Sequence, residues 1–112
     1  MPELRAQPRL LVVHDDGAIV RDVEATMPGW WVGVVDHGDL AVADAGYFDA
    51  VLVDLEREPA DGWFVLARLA PHCDVVAVGT LRQAARAMLL GAIAVIGSIA
   101  ALGDALDASL VA

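Results

Sequence analysis

Apolar residues come in short bunches separated by polar turns, and the bunches alternate between two periods. Leu10–Val13 is a continuous apolar run of strand length, which reads as a strand buried on both faces. After Asp15 and Asp16, the apolar positions Ile19, Val20, Val23 and Met27 recur at helical spacing, and Pro28-Gly29 closes that run. Trp30–Val35 is strand-like, and Asp39–Ala45 predicts a short helix stopped by Gly46. Ala50–Val53 is another apolar strand, ending on Asp54 and followed by a loop with Pro59. Gly62–Leu69 reads as a helix with Trp63, Leu66, Ala67 and Ala70 on one side, and Pro71 ends it. Val75–Val78 is the fourth strand. Arg82–Leu90 is a short helix, with Gly91 where a glycine beyond the helix end belongs. Ile93–Ile96 is the fifth strand. Ile99, Leu102, Leu106 and Leu110 then form a helical stripe, with Ser98 placed to cap it.

Strict alternation of strands and helices predicts a mostly parallel sheet with helices on both faces. Right-handed crossovers restrict its topology. In such sheets, ligands bind beyond the carboxyl ends of the strands, at the point where strand order reverses. Asp15, Asp16 and Asp54 all fall just past strand ends. If the first and third strands are neighbours, these three carboxylates converge. Adjacent Trp30 and Trp31 must face opposite sides of their strand, so one is expected in the core and the other partly exposed.

Composition narrows the picture. The 112 residues suit one domain, spanning 1–112, and 58% of them are apolar, enough for a real core. The net charge is -9, from 16 acids against 7 bases, which argues against a nucleic-acid backbone as partner. All seven bases are arginine, so there is no lysine in the chain. The single cysteine, Cys73, cannot close an internal disulfide and fits a cytoplasmic setting, as a plain loop cysteine rather than a nucleophile. Residues 1–9 carry Glu3, Arg5 and Pro8 and do not read as a signal peptide. The uncharged stretch Ala87–Gly103 is interrupted by Gly91, Gly97 and Ser98, and a buried strand explains it better than a membrane span.

With these residues in place, the chain resembles the receiver domain of bacterial two-component response regulators. The resemblance rests on Leu11-Val12-Val13-His14-Asp15-Asp16, on Val51-Leu52-Val53-Asp54-Leu55 eight residues ahead of Gly62, and on Gly91-Ala92 opening the last strand. It implies a flavodoxin-like (βα)5 three-layer sandwich with a parallel sheet of order 2-1-3-4-5. It implies that Asp54 is the phosphoacceptor and that Asp15 binds Mg²⁺ directly. Asp16 and Asp54 would complete the metal site with Asp15, and the backbone carbonyl of Glu56 its shell. The implied partners are a histidine kinase or phosphotransfer protein upstream and a protein partner or separate effector domain downstream, with a homodimer as a further form. Such a domain is a cytoplasmic signalling module in a phosphorelay, not an enzyme, with no membrane or nucleic-acid contact of its own.

Several positions depart from the family pattern. His14 stands where the family often has another acid, and a neutral imidazole there weakens the pull on Mg²⁺. The family lysine aligns with Ser98, and only an arginine such as Arg82 is left to stand in. Thr80 sits one place late for the phosphate-side hydroxyl, and the aromatic switch residue aligns with Val95. The segment from Thr80 to Gly91 is short by about one helical turn. These departures keep a second reading open: a pseudo-receiver that acts through protein or ligand contacts without phosphorylation.

Plainer readings stand beside the sharper ones. Asp15 and Asp16 also suit a helix cap. Thr80 suits a cap as well as a phosphate-side hydroxyl, and Ser98 suits a cap better than a phosphate ligand. His14 reads as a solvated residue on the pocket rim. His37 and His72 lack partners at metal-ligand spacing. A small flavodoxin-like or hydrolase-like enzyme finds no glycine-rich phosphate loop and no nucleophile elbow here.

Overall fold

The computed structural model describes residues 7–14, 16–36, 45–55 and 62–111. Its strands are β1 (Arg9–Val13), β2 (Trp31–Val35), β3 (Ala50–Asp54), β4 (Asp74–Val78) and β5 (Ala94–Ile96). Its α-helices are α1 (Gly17–Thr26), α2 (Gly62–Leu69), α3 (Leu81–Leu89) and α4 (Leu102–Val111). All strand pairs are parallel, and the order is β2-β1-β3-β4-β5. This is the flavodoxin-like arrangement, with β1 and β3 adjacent as the convergence of acids requires.

The strands are apolar throughout because both faces of the sheet are covered. Leu11, Val13, Val51, Val53, Val75 and Ala77 face one way and pack with Val65, Leu66 and Leu69 of α2 and Ala87 of α3. Leu10, Val12, Leu52 and Val76 face the other way and pack with Val23 of α1 and Leu102 and Leu106 of α4. Alternate residues of one run thus feed two cores, as the period of two dictates. Each fully buried Leu or Val contributes about 1.5–3 kcal/mol relative to exposure. The two tryptophans divide as expected. Trp30 packs against the second core, while Trp31 is 51% exposed and lies against Phe48 with ring centroids 5.8 Å apart.

Local chemistry sets the helix ends. At α3, Thr80 and Gln83 form a reciprocal capping box, so the helix starts at Leu81 rather than at Arg82. At its other end the Gly91 N–H bonds the Met88 carbonyl at 3.0 Å and the Ala92 N–H bonds the Ala87 carbonyl at 3.1 Å. That is the Schellman pattern, and Gly91 takes the φ of +109° that it requires. Ala87 and Ala92 are both buried, which supplies the apolar contact that accompanies the motif.

The last element differs from a single helix. A 3-10 turn, Ile99–Ala101, precedes α4, and Ser98 stands at the cap position without a side-chain capping bond. The expected helix over 39–45 lies outside the described residues except for Ala45, which opens a 3-10 turn, Ala45–Tyr47, containing Gly46. The uncharged stretch 87–103 crosses the end of α3, all of β5 and the start of α4, and no helix among the described residues is long and apolar enough to cross a membrane.

Candidate functional site

The site lies beyond the carboxyl ends of β1 and β3. Val13 of β1 is level with Val53 of β3, so the next residues, His14 and Asp54, emerge side by side. Neighbouring strands hold both in place. The His14 N–H bonds the Val35 carbonyl at 2.9 Å, and the Leu55 N–H bonds the Val78 carbonyl at 2.9 Å. Gly62, at the start of α2, closes the opposite side. A Cβ there would come within 2.5 Å of the Asp54 carbonyl oxygen, so only glycine allows α2 to approach this closely.

The Asp54 side chain is 18% exposed, accessible to a small reactant yet flanked by protein. His14 Nε2 lies 3.5 Å from Asp54 Oδ2. This corrects the expectation for His14: it is the one buried polar side chain among the described residues, at 6% exposure, not a solvated rim residue. The reason is the register of β1 on β3, which sequence spacing alone does not give. The other ring nitrogen, Nδ1, accepts the Asp16 N–H at 2.9 Å. Asp16 caps α1, its Oδ1 accepting the Ala18 N–H at 2.9 Å. One oxygen of Asp16 therefore serves the helix, and its link to Asp54 runs through His14. Asp15 and Glu56 lie outside the described residues.

Thr80 and Val95 come together in lining an open hollow of about 350 Å³ with Gly79, Leu81, Ala84 and Gly97. Thr80 Oγ1 accepts the Gln83 N–H at 3.4 Å while Gln83 Oε1 accepts the Thr80 N–H at 2.8 Å. The threonine hydroxyl thus caps α3. Val95 pairs with Ala77 in the sheet and is half-buried. Ser98 is exposed and is not part of that hollow's lining; Arg82 is exposed on α3.

Sequence reasoning also missed a ring contact between helices. The Arg86 guanidinium of α3 stacks 4.7 Å from the Trp63 ring centre of α2. Cys73 is half-buried, donates to the Leu69 carbonyl at 3.6 Å, and has its thiol pushed up by burial and then by nearby Asp74. That favours the protonated, unreactive form expected of a structural cysteine.

Magnesium requires oxygen ligands in near-octahedral order. Among the described residues, no three His, Cys, Asp or Glu side chains are grouped to hold a metal ion. Among the described residues, the donors at this place are the Asp54 carboxylate and the His14 ring against it, and imidazole is a poor partner for so hard a cation. The described donor set does not fit Mg²⁺.

No family model matches the chain. No curated protein matches it either. Solved structures do. A response regulator receiver domain protein from Clostridium thermocellum superposes with a TM-score of 0.77 at 19% identity, covering 92% of this chain and 94% of that one. A CheY-like receiver domain protein from Methanospirillum hungatei JF-1 gives 0.76 at 21%, covering 93% and 94%. The Vibrio cholerae chemotaxis protein CheY4 gives 0.77 at 18%, covering 92% and 98%. The chain is structurally similar to response-regulator receiver domains and has their fold.

Proposed function

We propose that the chain, 1–112, is one receiver-like domain of two-component signal transduction in which Asp54 accepts a phosphoryl group. The observation that carries this reading is the seat of Asp54. It ends the central strand β3, its carboxylate is partly open, and Gly62 and His14 press on it from two sides. Transfer to a carboxylate depends mainly on positioning and on charge stabilisation around the phosphoryl oxygens. The residues that would hold Mg²⁺ on this reading are Asp15, Asp16, Asp54 and the Glu56 carbonyl, of which Asp15 and Glu56 lie outside the described residues.

The partners on this reading are a cytoplasmic histidine kinase or phosphotransfer protein and a downstream protein or effector domain. Leu81, Met88 and Leu89 share a side of α3 and are 95%, 48% and 87% exposed, an apolar surface that a partner or a second copy would cover. The domain acts as a signalling module rather than an enzyme.

A second reading, the pseudo-receiver, is favoured by specific features. The Thr80 hydroxyl oxygen accepts a helix-capping bond, Val95 stands where the family has an aromatic, and the exposed Ser98 stands where the family carries lysine. The test is to incubate the protein with a small phosphodonor, and with a cognate kinase, and weigh it. A mass gain of one phosphoryl group that is lost in Asp54→Ala supports phosphoacceptance. No gain, with partner binding intact in Asp54→Ala, supports the pseudo-receiver.

A further inference from the structure

The hydrogen bonds around His14 fix more than its position. A neutral imidazole has one nitrogen that accepts and one that carries the proton. Nδ1 accepts the Asp16 N–H at 2.9 Å, so the proton sits on Nε2, the nitrogen 3.5 Å from Asp54 Oδ2. The Asp16 backbone is itself anchored, because its carboxylate caps α1 through the Ala18 N–H at 2.9 Å. The helix cap thereby selects the tautomer of a ring that is only 6% exposed.

This is the reverse of a metal-binding histidine, which turns a bare nitrogen to the metal and donates its other N–H to a neighbour. Here the bare nitrogen faces the backbone and the protonated one faces the carboxylate. A separation of 3.5 Å also leaves no room for a water molecule between Nε2 and Oδ2.

We infer that His14 is a positioning residue whose fixed Nε2–H serves Asp54 Oδ2 in place of a divalent cation, so that the pocket is built to work with little help from Mg²⁺. The inference rests on Asp54 being the reactive carboxylate. The N–H supplies part of the positive field that a cation otherwise provides, and it lies against an oxygen that a cation would use. The side chain that would add a carboxylate at this place is absent, which lowers the charge on which cation affinity depends.

The test uses the full chain labelled with ¹⁵N. Long-range nitrogen–proton correlations read the tautomer directly: the expected pattern for His14 is a protonated Nε2 and a bare Nδ1. Titration with MgCl₂ then reads the cation. The wild type is expected to respond weakly at the amides of His14 and Leu55, and His14→Asp to bind Mg²⁺ about tenfold or more tightly than wild type, because a carboxylate replaces a donor. His14→Gln keeps a distal N–H donor and is expected to stay as indifferent to Mg²⁺ as the wild type, which covers the case in which His14→Asp fails to fold. A proton on Nδ1 with a bare Nε2, or a wild type that binds Mg²⁺ as tightly as His14→Asp, overturns the inference. A failure of phosphoacceptance would show instead as a missing mass gain, with the tautomer and the Mg²⁺ response unchanged.

Discussion

Gly62 lies so close to Asp54 that a single added methyl would sit 2.5 Å from the Asp54 carbonyl oxygen and 2.9 Å from its carbonyl carbon. The obstacle is backbone, not a flexible side chain. That backbone is tied into β3, paired with β4 at Asp54↔Val78 and with β1 one residue earlier. In a helix interior, alanine is favoured over glycine by about 1 kcal/mol, and less at a first turn. Relieving the clash costs about 1–3 kcal/mol, so the clash wins. Gly62→Ala is therefore expected to lower the urea midpoint and to disturb the Asp54 amide resonance. A variant as stable as wild type, with Asp54 unmoved, would show that α2 does not press on the site.

Gly91 is held by conformation as well as by space. Its φ is +109°, and a Cβ would meet the Ala70 Cβ at 2.7 Å. Gly91→Ala should lose about 1–2 kcal/mol from the backbone alone. Gly29 has nothing within 4 Å of an added Cβ, so Gly29→Ala serves as the comparison for space. Denaturant midpoints should fall clearly for Gly91→Ala and by much less for Gly29→Ala.

Thr80 separates two roles by one substitution. The capping box predicts that Thr80→Ala loses about 1 kcal/mol and that Thr80→Ser keeps most of it. If capping is the whole role, the extent of phosphoryl transfer to Asp54 should stay the same in Thr80→Ala after correction for the folded fraction. A large drop in transfer without a change in midpoint would point to a phosphate-side hydroxyl instead.

Cys73 gives a pH signature. Burial disfavours the thiolate, and the negative charge of Asp74 disfavours it further, so both causes push the thiol in the same direction. The rate of alkylation by iodoacetamide should rise with pH along a curve displaced to higher pH than that of the urea-unfolded chain. Asp74→Asn should move the curve part of the way back. A folded protein that reacts as fast as the unfolded chain at neutral pH would contradict this placement.

Much of this was legible in the sequence, for identifiable reasons. Runs such as Leu10–Val13 and Ala50–Val53 announce strands covered on both faces, and each feeds two cores. The eight-residue interval from Asp54 to Gly62 is one of the motifs that carry the resemblance, and the structure brings the two residues into close approach. What was not legible depends on contacts between distant elements. His14 reads as a polar residue after a strand, and only the Val13↔Val53 register puts it against Asp54 and out of solvent. The stacking of Arg86 on Trp63 needs the packing of α3 beside α2. Ser98 has the right residue type for a cap and stands at the cap position of a 3-10 turn that precedes α4, but its side chain makes no capping bond.

Asp54 is the proposed acceptor of the phosphoryl group, and its role is open to direct test. Treatment with a small phosphodonor followed by borohydride tests it at residue level, because borohydride reduces an aspartyl phosphate to homoserine and leaves a free carboxylate untouched. Peptide mass spectrometry should find homoserine at position 54 and at no other acid. Homoserine at a different position, or at none after kinase treatment as well, would contradict the account.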